Sequence, residues 1–317
     1  MAEHSIPVDL FNPGQVFACL GFLEAAEILL GDAEGGFMRD DQGAHFHLSA
    51  GDKDSSNPFE AVLEFLAEAE PQRWAPLGYV DAKKGKGNDE NETEEEDDAA
   101  TPSIELSPTF PAGEGDRMAL PIRFGGGNRP IVKLGHWADA SSRDNFKLYA
   151  GNRSADKIAR AMLHGVRKKP TGKPKAKGEP GEFKTKGIAQ LWREDRKTLI
   201  SAPFDVLTPM GGSFNFDPRG AWTAINAGYS PNEHKHAVQA SPVVEFLAAW
   251  GLEHARPEVL RDREVRYAVW GLLLPPCLAR VALVGGIPSL PMQCFHFTLD
   301  LSGKNKVVTF AEQETRS

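Results

Sequence analysis

Residues 153 to 168 hold the clearest chemical pattern in this chain. Arg153, Lys157, Arg160, His164 and Arg167 recur at intervals of four and three residues, with Lys168 directly after. On an α-helix all six fall within about 100° of arc, while Ala155, Ile158, Met162 and Val166 fall on the opposite side. Ser154 stands where an N-cap belongs. Such a helix is expected to bury one face and offer five permanent positive charges, uninterrupted by any acid on the stripe. The chemistry implied is phosphate binding with release of counterions.

The charge continues beyond that helix. Residues 167–186 are rich in Pro and Gly and carry Lys168, Lys169, Lys173, Lys175, Lys177, Lys184 and Lys186. Repeated Pro and Gly forbid a regular helix there, so a flexible basic loop is expected. Lysine without interleaved aromatics favours contact with the backbone over base stacking. Trp192, followed by Arg193, Arg196 and Lys197, adds either a stacking surface or a core residue. Upstream, Arg123 and Arg129 flank the turn Gly125-Gly126-Gly127-Asn128. Arginine and asparagine make bidentate bonds to base edges, so Arg123, Asn128 and Arg129 are candidates for more specific contacts. Lys147 and, more weakly, Arg219 complete the candidate nucleic-acid-binding set.

Other chemistries find less support. His45 with His47 and His234 with His236 form two His-x-His pairs, and a metal-dependent nuclease or hydrolase built on them is the alternative reading. No HExxH, GxSxG or P-loop supplies further catalytic parts, and nothing calls for a cofactor. Cys19, Cys277 and Cys294 stand singly in apolar contexts, so all three are expected to be reduced core residues with no catalytic thiol among them. The chain therefore reads as a binding protein and not an enzyme.

Composition sets the frame for these residues. The 317 residues are 41% hydrophobic and 25% charged, enough for one large domain or two ordinary ones. The net charge of -8 conceals a segregation: eight acids and no base lie between Asp89 and Asp98, whereas residues 143–197 hold sixteen Lys or Arg against six Asp or Glu. No apolar run long enough to span a bilayer and no signal peptide is read, so the expectation is a cytoplasmic protein without a membrane partner.

The elements that must position the candidates are α+β: mixed helices and antiparallel hairpins. Asn12-Pro13 with Gln15 opens a helix carrying Val16, Phe17, Leu20, Leu23 and Ile28 inward. Asn57-Pro58 opens a second helix with Val62, Leu63 and Leu66 inward, and Ser241-Pro242 a third that runs to His254. Residues 37–50 read as a hairpin. At the C-terminal end, Phe295, Phe297, Leu299 and Leu301 share one face of another. Residues 81–103 lack the apolar content to repay ordering. The organisation expected is an N-terminal α+β part over 1–80, an acidic disordered linker over 81–103, and an α+β part over 104–317 whose residues 167–186 are flexible.

Four strings add a resemblance. Val8 to Glu24, reading VDLFNPGQVFACLGFLE, comes first; Leu134 to Asp139 with Phe146 to Gly151 comes second. Phe214 to Arg219, through Ala221-Trp222 to Gly228-Tyr229-Ser230, is the third. Pro242 to Ala248, with Gly251-Leu252 and Arg256-Pro257, is the fourth. In this order they resemble the small form of the Cascade large subunit of type I-U (I-G) CRISPR systems. One departure is His136, where the family pattern has a second tryptophan. The resemblance implies a noncatalytic subunit of a crRNA-guided surveillance complex. Its partners would be crRNA, target DNA, other Cascade subunits and a recruited helicase-nuclease. Its role would be flanking-motif recognition and R-loop stabilisation.

Overall fold

Asn12 starts the first helix as its type predicts: its side chain accepts the Gln15 N–H at 3.2 Å, and Pro13 fills the first turn. Gln15 Oε1 in turn accepts the Asp9 N–H at 2.7 Å. The computed structural model describes residues 3–51, 57–79, 104–107, 122–135, 146, 148, 154–168, 182–210, 212–220, 238–261, 263–302 and 305–314. In chain order these form β1 (Glu3–Pro7), α1 (Pro13–Leu30), β2 (Glu34–Asp40), β3 (Gly43–Ser49), α2 (Pro58–Glu68) and β4 (Gln72–Pro76). Next come β5 (Ile104–Ser107), β6 (Ile122–Gly126), β7 (Arg129–Leu134), α3 (Ala155–His164), β8 (Val166–Arg167), β9 (Phe183–Thr185) and α4 (Ile188–Ser201). The remainder is β10 (Thr208–Pro209), β11 (Gln239–Ala240), α5 (Pro242–His254), β12 (Glu258–Arg261), β13 (Glu264–Trp270), α6 (Pro276–Leu283), β14 (Met292–Ser302), β15 (Asn305–Val308) and β16 (Glu312–Gln313). This is the α+β mixture expected, with every sheet pairing antiparallel except β4 with β5.

Three sheets surround a helical centre. The first is ordered β1-β3-β2, the second β5-β4-β6-β7, and the third β12-β13-β14-β15 with β16 also on β14. Strand β4 precedes the acidic run and β5 and β6 follow it, so one sheet draws on both sides of that run. A single continuous core extends from Ile6 to Ala311.

At the centre α1 packs along α5 with almost no space between backbones. A Cβ on Gly21 would lie 2.1 Å from the Leu247 carbonyl oxygen, and one on Gly251 would lie 2.2 Å from that of Phe17. Only glycine lets the two helices approach this far. Residues 13–26 of α1 are all buried, Gln15 and Glu24 included, so that stretch is enclosed on every side instead of amphipathic. Two sequence expectations change here. Ile28 points outward, on the open side of a last turn whose Leu29 and Leu30 still pack against the core. And α1 is long and apolar enough to cross a membrane, contrary to the reading of the sequence, yet most of it is enclosed by protein.

The C-terminal hairpin is present, with Phe295, Phe297 and Leu299 buried and Leu301 exposed, since the end of β14 runs beyond the core. Tyr267 on β13 stacks on Phe295 and donates its hydroxyl to the Leu10 carbonyl at 2.6 Å, tying this sheet to the entry of α1.

Candidate nucleic-acid interface

Ser154 occupies the N-cap position of α3 but makes no side-chain cap bond. The apolar side of the helix is as expected: Ala155, Ile158, Ala159, Met162 and Leu163 are buried. Buried Asp156, in the first turn, faces the Arg73 guanidinium at 3.9 Å. Two corrections concern the basic side. First, the helix ends at His164 and does not reach Lys168. Gly165 takes φ +71, and a Cβ there would lie 2.5 Å from the Thr185 carbonyl oxygen, so the chain turns tightly against β9. Arg167 and Lys168 therefore leave the helical stripe.

Second, the stripe is not free of acid. Glu70, from the corner between α2 and β4, accepts Arg160 Nη1 at 3.0 Å and stands 3.3 Å from His164 Nε2. Arg160 also donates to the Pro71 carbonyl at 2.9 Å, and His164 contacts that of Ala69 at 2.8 Å. The acid is distant in sequence, which is why helical spacing alone could not reveal it. Lys157 is exposed.

The remaining candidates separate in the same way. Arg167 lies over the Phe183 ring at 4.6 Å, and Lys168 pairs with Glu182 at 3.0 Å. The Lys168 N–H also bonds the Glu182 carbonyl at 2.8 Å, so these two residues meet beside the end of α3. Lys147, Arg153, Lys169, Lys173, Lys175 and Lys177 lie outside the described residues.

Arg123 and Arg129 share the β6–β7 hairpin but do not converge. Arg123 is ion-paired with Glu105 and donates to Gln72 Oε1 at 3.0 Å, whereas Arg129 reaches Glu68 on α2 at 2.8 Å. Between them Asn128 is exposed in the turn. Gly125 has φ +85, and a Cβ there would lie 1.9 Å from the Pro130 carbonyl oxygen, so that glycine is required by the turn itself.

Arg219 has an inward partner. Its Nε and Nη2 grip the buried Asp217 carboxylate at 2.9 and 2.7 Å. Asp217 also accepts the Asn12 side chain at 3.2 Å and the Ser241 N–H at 3.0 Å, so it joins the starts of α1 and α5. Beside it, Glu245 is fully buried and accepts the Asp217 N–H at 2.8 Å. Burial pushes the Glu245 carboxyl from the usual range up to about 8, against the opposing pull of backbone N–H groups from Asp217, Phe216 and Phe214. A second buried acid, Glu24 on α1, is held by both arms of Arg280 at 2.6 Å, and this bonding raises the Arg280 pKa.

Sequence reasoning missed part of the surface. Arg196 on α4 stacks over Trp192 at 4.2 Å and pairs with Glu60 on α2 at 2.6 Å. Trp192 is partly buried against the core, the second of its two expected placements, and its ring also backs Arg196. The signal available was Glu60, Glu64 and Glu68 at four-residue spacing on α2.

His45 and His47 lie on β3 flanking buried Phe46, and His45 stands 3.5 Å from Asp40. Among the described residues no three His, Cys, Asp or Glu side chains gather as a metal site, and His234 and His236 lie outside them. Cys19 is buried and its thiol pKa is raised by burial, which suppresses the reactive thiolate. The expectation of three core cysteines is corrected for the others: Cys277 is exposed on α6 and Cys294 half-buried on β14. What the described side chains bring together is a set of partly exposed arginines, each paired with a carboxylate. No family model, no curated protein and no solved structure matches the chain.

Proposed function

We propose that this chain is a noncatalytic nucleic-acid-binding subunit of a crRNA-guided CRISPR surveillance complex, acting in the cytoplasm. In this reading base pairing between guide and target reads the sequence, and the subunit supplies backbone and flanking-motif contacts and steadies the opened DNA. Its partners are crRNA, target DNA, the other Cascade subunits and the helicase-nuclease that cuts.

One observation carries the reading. Residues from three of the four strings behind the resemblance meet at a single point: Asn12 from the first, Asp217 and Arg219 from the third, Glu245 from the fourth. Strings spread over more than two hundred positions are thus one structural unit, which supports treating them as a fold signature. The nucleic-acid role is supported by the placement of α3, α4 and the β6–β7 turn around α2. Lys168 and Glu182, the described residues on either side of 169–181 with Lys169, Lys173, Lys175 and Lys177, pair beside α3.

The test is affinity capture of the tagged chain from its native host, with sequencing of bound RNA and mass spectrometry of bound proteins. Recovery of crRNA together with other Cascade subunits is expected. Capture of a stable assembly lacking both would overturn the proposal.

A further inference from the structure

We infer that the solvent face of α2 is a preformed seat for a nucleic-acid backbone, in which Glu60, Glu68 and Glu70 hold Arg196, Arg129 and Arg160 where phosphates hold them once nucleic acid binds. The inference rests on the nucleic-acid reading above and adds a location, a new contact residue and a role for the acids.

Helix α2 buries Phe59, Val62, Leu63, Phe65 and Leu66 and turns Glu60, Glu64 and Glu68 outward. Three arginines from three separate elements come to this row and to Glu70 just beyond its end. Arg129 from β7 bonds Glu68 at 2.8 Å, Arg160 from α3 bonds Glu70 at 3.0 Å, and Arg196 from α4 bonds Glu60 at 2.6 Å. Glu60 and Glu68 lie about 12 Å apart along the helix, roughly the rise of three to four nucleotides on one strand.

These pairs are built to exchange. The Glu68 and Glu70 side chains are 61% and 64% exposed and that of Glu60 32%, whereas the acids gripping Arg219 and Arg280 are 0% and 4% exposed. An ion pair that open is held by only about 0–1 kcal/mol. A phosphate offers a guanidinium the same forked geometry as a carboxylate, so it can take the carboxylate's place, opposed by the charge of the glutamate it displaces. The arginines are also already ordered: Trp192 backs Arg196, and the Pro71 carbonyl fixes Arg160. That ordering removes part of the entropy cost of binding. The ligand class is the phosphodiester backbone of RNA or DNA, bound through charge without base reading.

The experiment measures binding of the full chain to fluorescent single-stranded RNA and DNA oligomers at two salt concentrations. Three triple variants are compared, each first checked for an unchanged melting temperature. Glu60→Gln/Glu68→Gln/Glu70→Gln frees the arginines, and Arg129→Gln/Arg160→Gln/Arg196→Gln removes them. Glu258→Gln/Glu264→Gln/Glu312→Gln makes the same charge change on the C-terminal sheet. Expected are about tenfold tighter binding for the first, about tenfold weaker and less salt-dependent binding for the second, and a change within about twofold for the third. Equal gains for the first and third variants, or wild-type affinity in the arginine variant, would overturn the inference and leave the nucleic-acid reading intact. Absence of binding in wild type and all variants overturns both. If a triple variant melts early, the single changes Glu68→Gln and Arg129→Gln decide the same question, with opposite shifts expected.

Discussion

The Asp217 cluster and the outward face of α2 use the same bond, an arginine gripping a carboxylate at 2.6–3.0 Å, for opposite ends. At Asp217 the acid is sealed inside, and its other bonds go to Asn12 and the Ser241 N–H at the starts of two core helices. Around α2, Glu68 and Glu70 stand mostly in water and Glu60 partly so. Burial, not bond length, separates a pair that holds the fold from one that can be traded. A buried pair that loses a partner leaves an uncompensated charge, whereas an exposed one hands its charge back to solvent.

Asp217→Ala breaks this contrast hardest if it is wrong. It strands Arg219 and leaves the Ser241 N–H without its acceptor, so chemical denaturation should show a loss of about 3–5 kcal/mol. A loss under about 1 kcal/mol would place Asp217 in the same class as the surface glutamates.

Glu245 sharpens the comparison through pH. Its folded pKa of about 8 lies above the ordinary carboxyl value of 4.5, so the folded state binds the extra proton between those limits. Its contribution is fully present below about 4.5 and is lost as pH rises toward 8, on the order of a few kcal/mol. Glu245→Gln keeps an acceptor for the Asp217 N–H and carries no charge. Denaturation midpoints of that variant should stay flatter across pH 5–8 than those of wild type. Parallel curves would mean that the carboxyl stays ionised in its pocket.

Smaller effects follow. Gly251→Ala should cost about 1–3 kcal/mol, since its methyl group would press on the Phe17 carbonyl and push α1 from α5. At the low end, Arg129→Gln or Glu68→Gln should change stability by less than about 1 kcal/mol, because their pair is half in water. A thermal melt separates these two classes directly.

What the sequence disclosed follows the range of the interactions involved. Asn12-Pro13, Asn57-Pro58 and Ser241-Pro242 mark helix starts through bonds made within three residues, and all three helices begin there. The β2–β3 hairpin and the C-terminal hairpin are legible because alternation is local. The end of α3 at Gly165 depends on β9, some twenty residues later, so helical spacing ran past it. The partners of Arg129, Arg160 and Arg196 lie 61, 90 and 136 positions away, beyond any spacing rule. Arg219 looked like a surface cation until its neighbour Asp217 proved to be buried.

The burial of α1 on all sides has a consequence during synthesis. Its main partner, α5, follows it by about 220 residues, which at typical elongation rates is roughly ten to forty-five seconds. For that interval α1 has α2 and the first sheet beside it, as Phe22 on Phe59 shows, and lacks the surface of α5. A nascent chain of this design should need a chaperone early, and slower translation ahead of Pro242 should lower the yield of folded protein more than the same delay placed after His254.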